Sequence, residues 1–452
     1  MGELSESLES PWWEEEVEYA PCEGNSNLQA FAEHNESDAC VQQPLPLITL
    51  DPPATPAAAL RIQVWSWNTE SVRFSESENT TRKSSGFQWD TGLPLPGLSS
   101  EAPIFVKRIA ERVKRVAPHL IAFAFQEEAK PGSYLLSHAI PEALGGDYEL
   151  LSKTRLMGVG LTTLHKWTVR GLRLGVFARR DWLQTLHTRP AVEVHGEVCD
   201  GMSRVLRNKG GAAIVIDLPH PYGRLDLVNM HLPFDSNSLS TWKERSTAVD
   251  HQMQALEHLH DTLVIGVGQP LPDHVILMGD LNFRIDPFCN ERDAGIIGPQ
   301  GEVDRVLGDL ARRGPNAVYK ERDELRTRLA QSTWLSRYRE GVDGGGPTFW
   351  PTAKLQKDRK IDQEDLYAEE ARDASEAGAL AWLRATMQVQ AQHGRKGPRT
   401  PGWTDRVLYR SYEGRHGPHA SDPMRLQCTA YERWDLCALS DHAAVMSEFT
   451  LA

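Results

Sequence analysis

The chain predicts an α/β sandwich whose strand ends line a single site. Short continuous apolar runs, such as Val275 to Met278 and Leu120 to Phe125, have the length and composition of buried strands. Stretches of helical periodicity lie between such runs; Ile104, Ile109, Val113 and Val116 fall on one helix face, with Lys and Arg between them. The strand-like runs also keep finishing on a polar side chain, at Asn68, Glu127, His231 and Asp280. Polar groups delivered by separate buried strands imply a common mouth where they meet.

The totals agree with a globular enzyme-sized domain. A length of 452 residues allows one large domain with insertions or two ordinary ones. With 40% hydrophobic and 25% charged residues the composition is that of a soluble globular protein, and no apolar run is long enough to span a bilayer. The start, Met1-Gly-Glu-Leu-Ser5, lacks the basic and apolar regions of a signal peptide, and Glu6 stands where myristoylation wants Ser or Thr. The end, Phe449-Thr-Leu-Ala452, has no prenylation cysteine. Six cysteines (22, 40, 199, 289, 428 and 437) show no metal-type spacing, so reduced thiols in an intracellular, cytoplasmic protein are expected. A net charge of −13 argues against broad nucleic-acid binding but permits a local basic cleft.

Residues 1–58 read as a disordered or loosely docked leader, acidic around Trp12 and Trp13 and rich in Pro and Ala after Pro44. Order is expected from Arg61 to Asn68, a strand, followed by a helix from Pro103 that Pro118 stops. A second strand runs from His119 to Phe125 and ends polar at Gln126-Glu127-Glu128. Further strands are expected near 147–153, 156–163, 172–179, 211–218 and 224–231, then a helix over 239–261. Two amphipathic helices are read over 301–331 and a long Ala-rich helix over 362–392. Strands near 404–410, 425–430 and 442–450 close one catalytic domain, 60–452.

The stretch His274 to Arg284 organises the rest. After the apolar run, Gly279 lets backbone or ligand come close. Asp280, Asn282 and Arg284 are spaced two apart, which in extended chain puts a base, an amide and a cation on one face. That is equipment for attacking a phosphate.

Eight blocks taken together resemble the inositol polyphosphate 5-phosphatases of the endonuclease/exonuclease/phosphatase superfamily: Trp67-Asn68, Phe125-Gln-Glu127, Asn208-Lys-Gly-Gly211, Asn229-Met-His-Leu232, Gly279-Asp-Leu-Asn-Phe-Arg284, Phe349-Trp-Pro-Thr-Ala-Lys354, Pro401-Gly-Trp-Thr-Asp-Arg406 and Ser440-Asp-His442. The resemblance implies a deoxyribonuclease-I-like fold, a four-layer sandwich of two packed mixed sheets flanked by helices. It implies a Mg²⁺-dependent hydrolase that removes the 5-phosphate from phosphoinositide lipids or soluble inositol polyphosphates. Glu127, Asn68 and Asp441 are expected at the metal, a hard cation that takes oxygen ligands. Asp280 is the expected base, Asn282 a holder of water or phosphate, and His442 a cationic stabiliser whose pKa Asp405 keeps up. His231 is a second phosphate contact. By the same resemblance Arg284, Lys354, Arg399 and Arg406 meet substrate phosphates; Lys209 divides evenly between that role and a structural one.

The sequence also departs from the family. Ala353 replaces the usual Tyr before Lys354, Gly397 stands where a lysine is usual with Lys396 one step off, and the 362–392 segment is inserted where a short loop is general. All three touch the region expected to read the non-scissile phosphate, so weak discrimination for a neighbouring 4-phosphate follows. Competing readings are a nuclease of the same superfamily and a catalytically dead inositide-binding scaffold. Peripheral membrane contact without a transmembrane segment, and a protein partner for the leader, are compatible with the leading reading; a nucleic-acid partner is not expected.

Overall fold

The structure, a computed structural model, describes residues 59–69, 104–129, 135–154, 156–161, 167–195, 209–233, 242–266, 271–288, 299–356, 375–387, 400–412, 424–435 and 440–452. All of them belong to one compact unit, Ala57–Ala452; the leader calls, including Trp12 and Trp13, lie outside the described residues. The strands are β1 (Leu60–Asn68), β2 (Leu120–Ala129), β3 (Tyr148–Lys153), β4 (Leu156–Leu161), β5 (Trp167–Arg179), β6 (His187–Thr188) and β7 (Val192–His195). They continue as β8 (Gly210–Asp217), β9 (Arg224–His231), β10 (His274–Asp280), β11 (Arg339–Glu340), β12 (Asp405–Ser411), β13 (Leu426–Trp434) and β14 (Ala444–Leu451).

Two seven-stranded mixed sheets result. One has the order β13-β14-β1-β2-β5-β3 with β4 also on β5; the other runs β11-β12-β10-β9-β8-β6 with β7 also on β8. Alternating side chains explain why both faces of the central strands are apolar. In β1, Ile62 and Val64 join the core between the sheets, while Trp65 and Trp67 point to the outer layer. In β9, Leu225 and Leu227 face inward and Val228 and Met230 outward.

Helices cover the outer faces. Helix α1 (Ile104–Val116) and α2 (Ile140–Leu144) pack on the first sheet through Val106, Ile109, Val113 and Ile140. Helix α3 (Trp242–His260) packs on the second through Val249, Leu256 and Leu259. Helices α4 (Pro299–Arg313), α5 (Pro315–Arg322), α6 (Glu324–Leu329) and α7 (Glu376–Thr386) follow, and α4, α5 and α7 gather around Ile285 and Trp403. This is the α/β sandwich of two mixed sheets flanked by helices. No helix among the described residues is long and apolar enough to cross a membrane.

Three elements differ from the sequence reading. The 301–331 region holds three helices rather than two, because Pro315 and the N-cap Asp323 each start a new one. The inserted helix does not run from 362 to 392. Ser375, extended and accepting a bond from Gly378 N at 3.3 Å, caps its start, and Met387 leaves the helix to bridge Leu355. The rest of that insertion lies outside the described residues. The short strands β6 and β7 were not anticipated; two and four residues carry too little periodicity to read. Cys428 is buried without a disulfide, and the other five cysteines lie outside the described residues.

The topology brings the polar strand ends together. Strands β1 and β2 are parallel, as are β9 and β10, so Asn68, Glu127, His231 and Asp280 sit at their carboxyl ends. Antiparallel β12 and β14 contribute their amino ends instead. In register, Asp280 faces Asp405 on one side and His231 on the other, and Gly210, next to Lys209, faces His231.

Candidate active site

Asp280 is the centre of a buried hydrogen-bonded cluster. Asn68 Nδ2 donates to its Oδ2 at 2.7 Å, and Asn282 N donates to its Oδ1 at 3.1 Å. His231 Nε2 stands 3.4 Å from Oδ2. Burial pushes the Asp280 carboxyl up, but the bond to His231 and the charges of His442 and Lys209 outweigh it and hold the group well below the usual carboxylate range. It is therefore a fixed, ionised acceptor at neutral pH.

Gly279 gives this strand end its shape. Its φ is +142°, and a Cβ there would stand 1.9 Å from the Met230 carbonyl oxygen. The close approach is thus to the backbone of β9, and only glycine permits it. Asn282 turns the chain at φ 60°, and its Nδ2 donates to Leu232 O at 2.9 Å. Glu127 also has positive φ, 55°, within the irregularity that shifts β2–β5 register between Phe125 and Glu128. Such a bulge re-aims one side chain out of the alternation. Asn282 and Glu127 both adopt left-handed backbone at neighbouring strand ends.

Each histidine has a lysine and a carboxylate beside it. His442 Nδ1 lies 2.8 Å from Asp405 Oδ2, and Lys354 Nζ lies 2.8 Å from His442 Nε2 and 2.8 Å from Asp441 Oδ2. On the other side, Lys209 Nζ contacts His231 Nε2 and stands 3.9 Å from Glu127 Oε1. Burial and Lys354 pull the His442 pKa down; Asp405, Asp441 and Asp280 pull harder and raise it. An ammonium only donates, so the Lys354 contact fixes a neutral ring here, with Nδ1–H donating to Asp405 and Nε2 accepting. For His231, burial and Lys209 lower the pKa despite Asp280 and Glu127. Its Nδ1 is buried with no partner among the described residues.

Supporting groups fix these rings. Ser440 Oγ donates to Asn68 O at 2.8 Å and accepts from His442 N at 3.1 Å. Trp67 Nε1 donates to His442 O at 3.1 Å, and Thr404 Oγ1 donates to Asp405 Oδ2 at 3.0 Å. Between the sheets, Gln126 Nε2 donates to Asn229 Oδ1 at 2.7 Å, while Asn229 Nδ2 donates to Arg173 O at 2.7 Å. The sequence reading gave Thr404, Ser440 and this amide pair no role, although each sits inside a quoted motif block.

Glu127 and Asn68 lie on neighbouring strands, in adjacent register positions. A carboxylate and an amide oxygen are the hard donor types that suit Mg²⁺, which fills the rest of its shell with waters and substrate. Among the described residues no group of three or more His, Cys, Asp or Glu is arranged to hold a metal, and one carboxylate plus an amide meets the modest protein share this ion requires. Asp441, also expected at the metal, pairs with Lys354 and stands 3.5 Å from His442 Nε2 through its Oδ1.

One expected phosphate-binding residue, Arg406, is placed differently. Arg406 is fully buried, bonded through Nε to Glu340 at 2.6 Å and through Nη1 to both Asp323 oxygens at 3.1 and 3.0 Å. Adjacent strand residues face opposite ways, so with Asp405 turned into the site Arg406 is turned out of it. Arg284 is buried at 2% exposure with Nη2 3.4 Å from Asn282 Oδ1, so it lies against the cluster. Arg399 and Lys396 lie outside the described residues. Ala353 is fully buried and exchanges backbone bonds with Gly402 at 3.1 and 2.7 Å. With Ala353 fully buried, a larger side chain there would have to displace its neighbours.

Over residues 66–448 the chain matches Endonuclease/Exonuclease/phosphatase family 2. The chain belongs to that family, a class of phosphoesterase-type folds that includes nucleases and phosphatases. No curated protein sequence matches it significantly. Among solved structures it is similar to the inositol polyphosphate 5-phosphatase domain of SPsynaptojanin in complex with inositol (1,4)-bisphosphate and calcium ion, at 17% identity and TM-score 0.48, with 87% of this chain and 84% of that one covered. It is also similar to a Cimex nitrophorin ferrous NO complex, at 14% identity and TM-score 0.47 over 88% of this chain and 100% of that one. A third is an endonuclease/exonuclease/phosphatase from Beutenbergia cavernae, at 14% identity and TM-score 0.40 over 87% and 72%.

Proposed function

We propose that the protein is a Mg²⁺-dependent 5-phosphatase acting on inositol phosphates, as soluble polyphosphates or as phosphoinositide headgroups. The observation that carries this reading is the convergence of Asn68, His231, Asp280, Asp405 and His442 at one end of both sheets, in motif blocks that resemble that family.

Asp280, held by Asn68 and Asn282, orients the attacking water and accepts its hydrogen bond. A carboxylate held so low is a weak proton acceptor, so its main contribution is placement and charge. When a phosphate group enters, Lys354 donates to it, and His442, its freed Nε2 protonated from solvent, donates toward the developing charge while Asp405 holds Nδ1–H and stabilises the imidazolium. His231 and Lys209 meet the phosphoryl oxygens from the opposite side, and Arg284 adds a fixed cation behind Asn282. Mg²⁺, held by Glu127 and Asn68, supplies neutralisation of phosphoryl charge when bound. Arg399 belongs to the same proposal as a contact to a neighbouring phosphate.

Phosphate release from a panel of inositol phosphates and inositide lipids, with and without Mg²⁺, tests this, alongside nicking of plasmid DNA. Metal-dependent release restricted to 5-phosphorylated inositides is expected. Plasmid nicking without inositide turnover contradicts the substrate assignment and leaves the family assignment intact.

A further inference from the structure

A second cationic site lies at the far ends of the strands. Strand β12 begins at Asp405 in the cluster and reaches Arg410 five residues on, roughly 17 Å away at the rise of an extended strand. There the two sheets are joined by a bond from Leu426 N to Ser411 Oγ of 2.9 Å. Around that seam is a cleft of about 640 Å³ lined by Arg337, Arg339, Arg410, Arg425, Tyr409 and Tyr412.

Four guanidinium groups meet in this cleft although the whole chain carries a net charge of −13. Arg337, Arg339 and Arg425 are exposed, and Arg410 is half-buried. No described carboxylate lies within ion-pair distance of Arg337, Arg339 or Arg410; Arg425 has a partner of its own. Arg410 is fixed by aromatic rings, 3.7 Å over Tyr412 and 6.0 Å from Tyr338. Tyr338 is itself held, its hydroxyl 2.9 Å from His260 Nε2. An ordinary solvated basic face would spread its charges and intersperse carboxylates. Here four arginines line one concave wall and one is pre-positioned by aromatic rings, an arrangement suited to an anion. Guanidinium forks match phosphate oxygens in pairs, and a cleft of this volume admits a small multiply charged molecule.

We infer that this cleft is a second anion site that takes phosphate esters bearing more than one phosphate group, free in solution or presented as a lipid headgroup. It is separate from the Asp280 cluster and does not depend on the reaction carried out there.

The probe is myo-inositol hexakisphosphate, titrated calorimetrically into the full chain at physiological salt. Wild type should show an equivalent of binding that Arg337→Gln/Arg339→Gln weakens by about tenfold or more, since two charge-assisted contacts are lost. Both side chains are exposed, so folding is unaffected, and turnover of a soluble substrate stays at the wild-type rate. Lys354→Ala, altered at the other end of the strands, should keep that equivalent. A double-variant titration that overlays wild type, or loss of all binding in Lys354→Ala, overturns the inference. Co-sedimentation with phosphatidylcholine vesicles containing phosphatidylinositol 4,5-bisphosphate then names the source. Pelleting that the double variant loses supports the headgroup, and solution binding without pelleting supports the free ester. Because binding is the readout, absence of 5-phosphatase activity leaves the test decisive.

Discussion

Asp405 Oδ2 and His442 Nδ1 lie 2.8 Å apart and are both buried, and on the proposed function they work as one unit. Asp405→Ala and His442→Ala should each remove most of the turnover, and the double variant little more. Multiplying losses would show separate roles and contradict the pair. Glu127 makes a different demand. Glu127→Gln keeps size and hydrogen bonding but removes the anionic oxygen, so the Mg²⁺ concentration for half-activity should rise while the saturated rate falls. Overlaying metal titrations would remove Glu127 from the metal site. At this scale the sequence put Asn68, His231 and Asp280 at strand ends, and the structure brings the three together. The sequence misled at Arg406, because a motif shows adjacency and hides the alternation that sends neighbouring side chains to opposite faces. It was silent about Gln126 bonding to Asn229, a partner 103 residues away that no local pattern encodes.

Among the elements, the buried strands were legible because their apolar runs have no other use, but β5 starts at Trp167 rather than near 172 and β13 runs on to Trp434 rather than ending near 430. The bulge at Glu127 was not legible, since one extra residue in a strand leaves no mark in hydropathy. The start of β2 gives a prediction of its own. His119 Nδ1 accepts from Arg61 N at 2.8 Å, and its ring packs on Trp182 with centroids 4.5 Å apart. Burial, with Arg179 and Arg61, lowers its pKa to about 4. The folded state therefore prefers the neutral ring, while the unfolded chain protonates near the ordinary 6.5. Stability from this group is full above that value and is lost as pH falls toward 4, at most about 3 kcal/mol at roughly 1.4 kcal/mol per unit. Urea midpoints at pH 7 and pH 4.5 check this: wild type should fall further between them than His119→Asn, whose amide oxygen can accept from Arg61 N without titrating. Parallel falls would show that His119 does not carry the dependence.

For the whole molecule, two mixed sheets place the carboxyl ends of β1, β2, β9 and β10 and the amino ends of β12 and β14 at one mouth, which turns scattered motifs into a site. That convergence was foreseeable from the repeated polar strand ends, whereas the arginine cleft at the opposite end had no motif to announce it. On the proposed function, the Asp280 cluster hydrolyses a 5-phosphate. The direct measurement is the product formed from inositol 1,4,5-trisphosphate by wild type and by Asp280→Asn in Mg²⁺. The account predicts inositol 1,4-bisphosphate from wild type and a kcat lower by about 10² or more in the variant, at unchanged folding, in the range typical of a lost base or water-positioning group. Loss of a different phosphate, or near-normal turnover by Asp280→Asn, would contradict it.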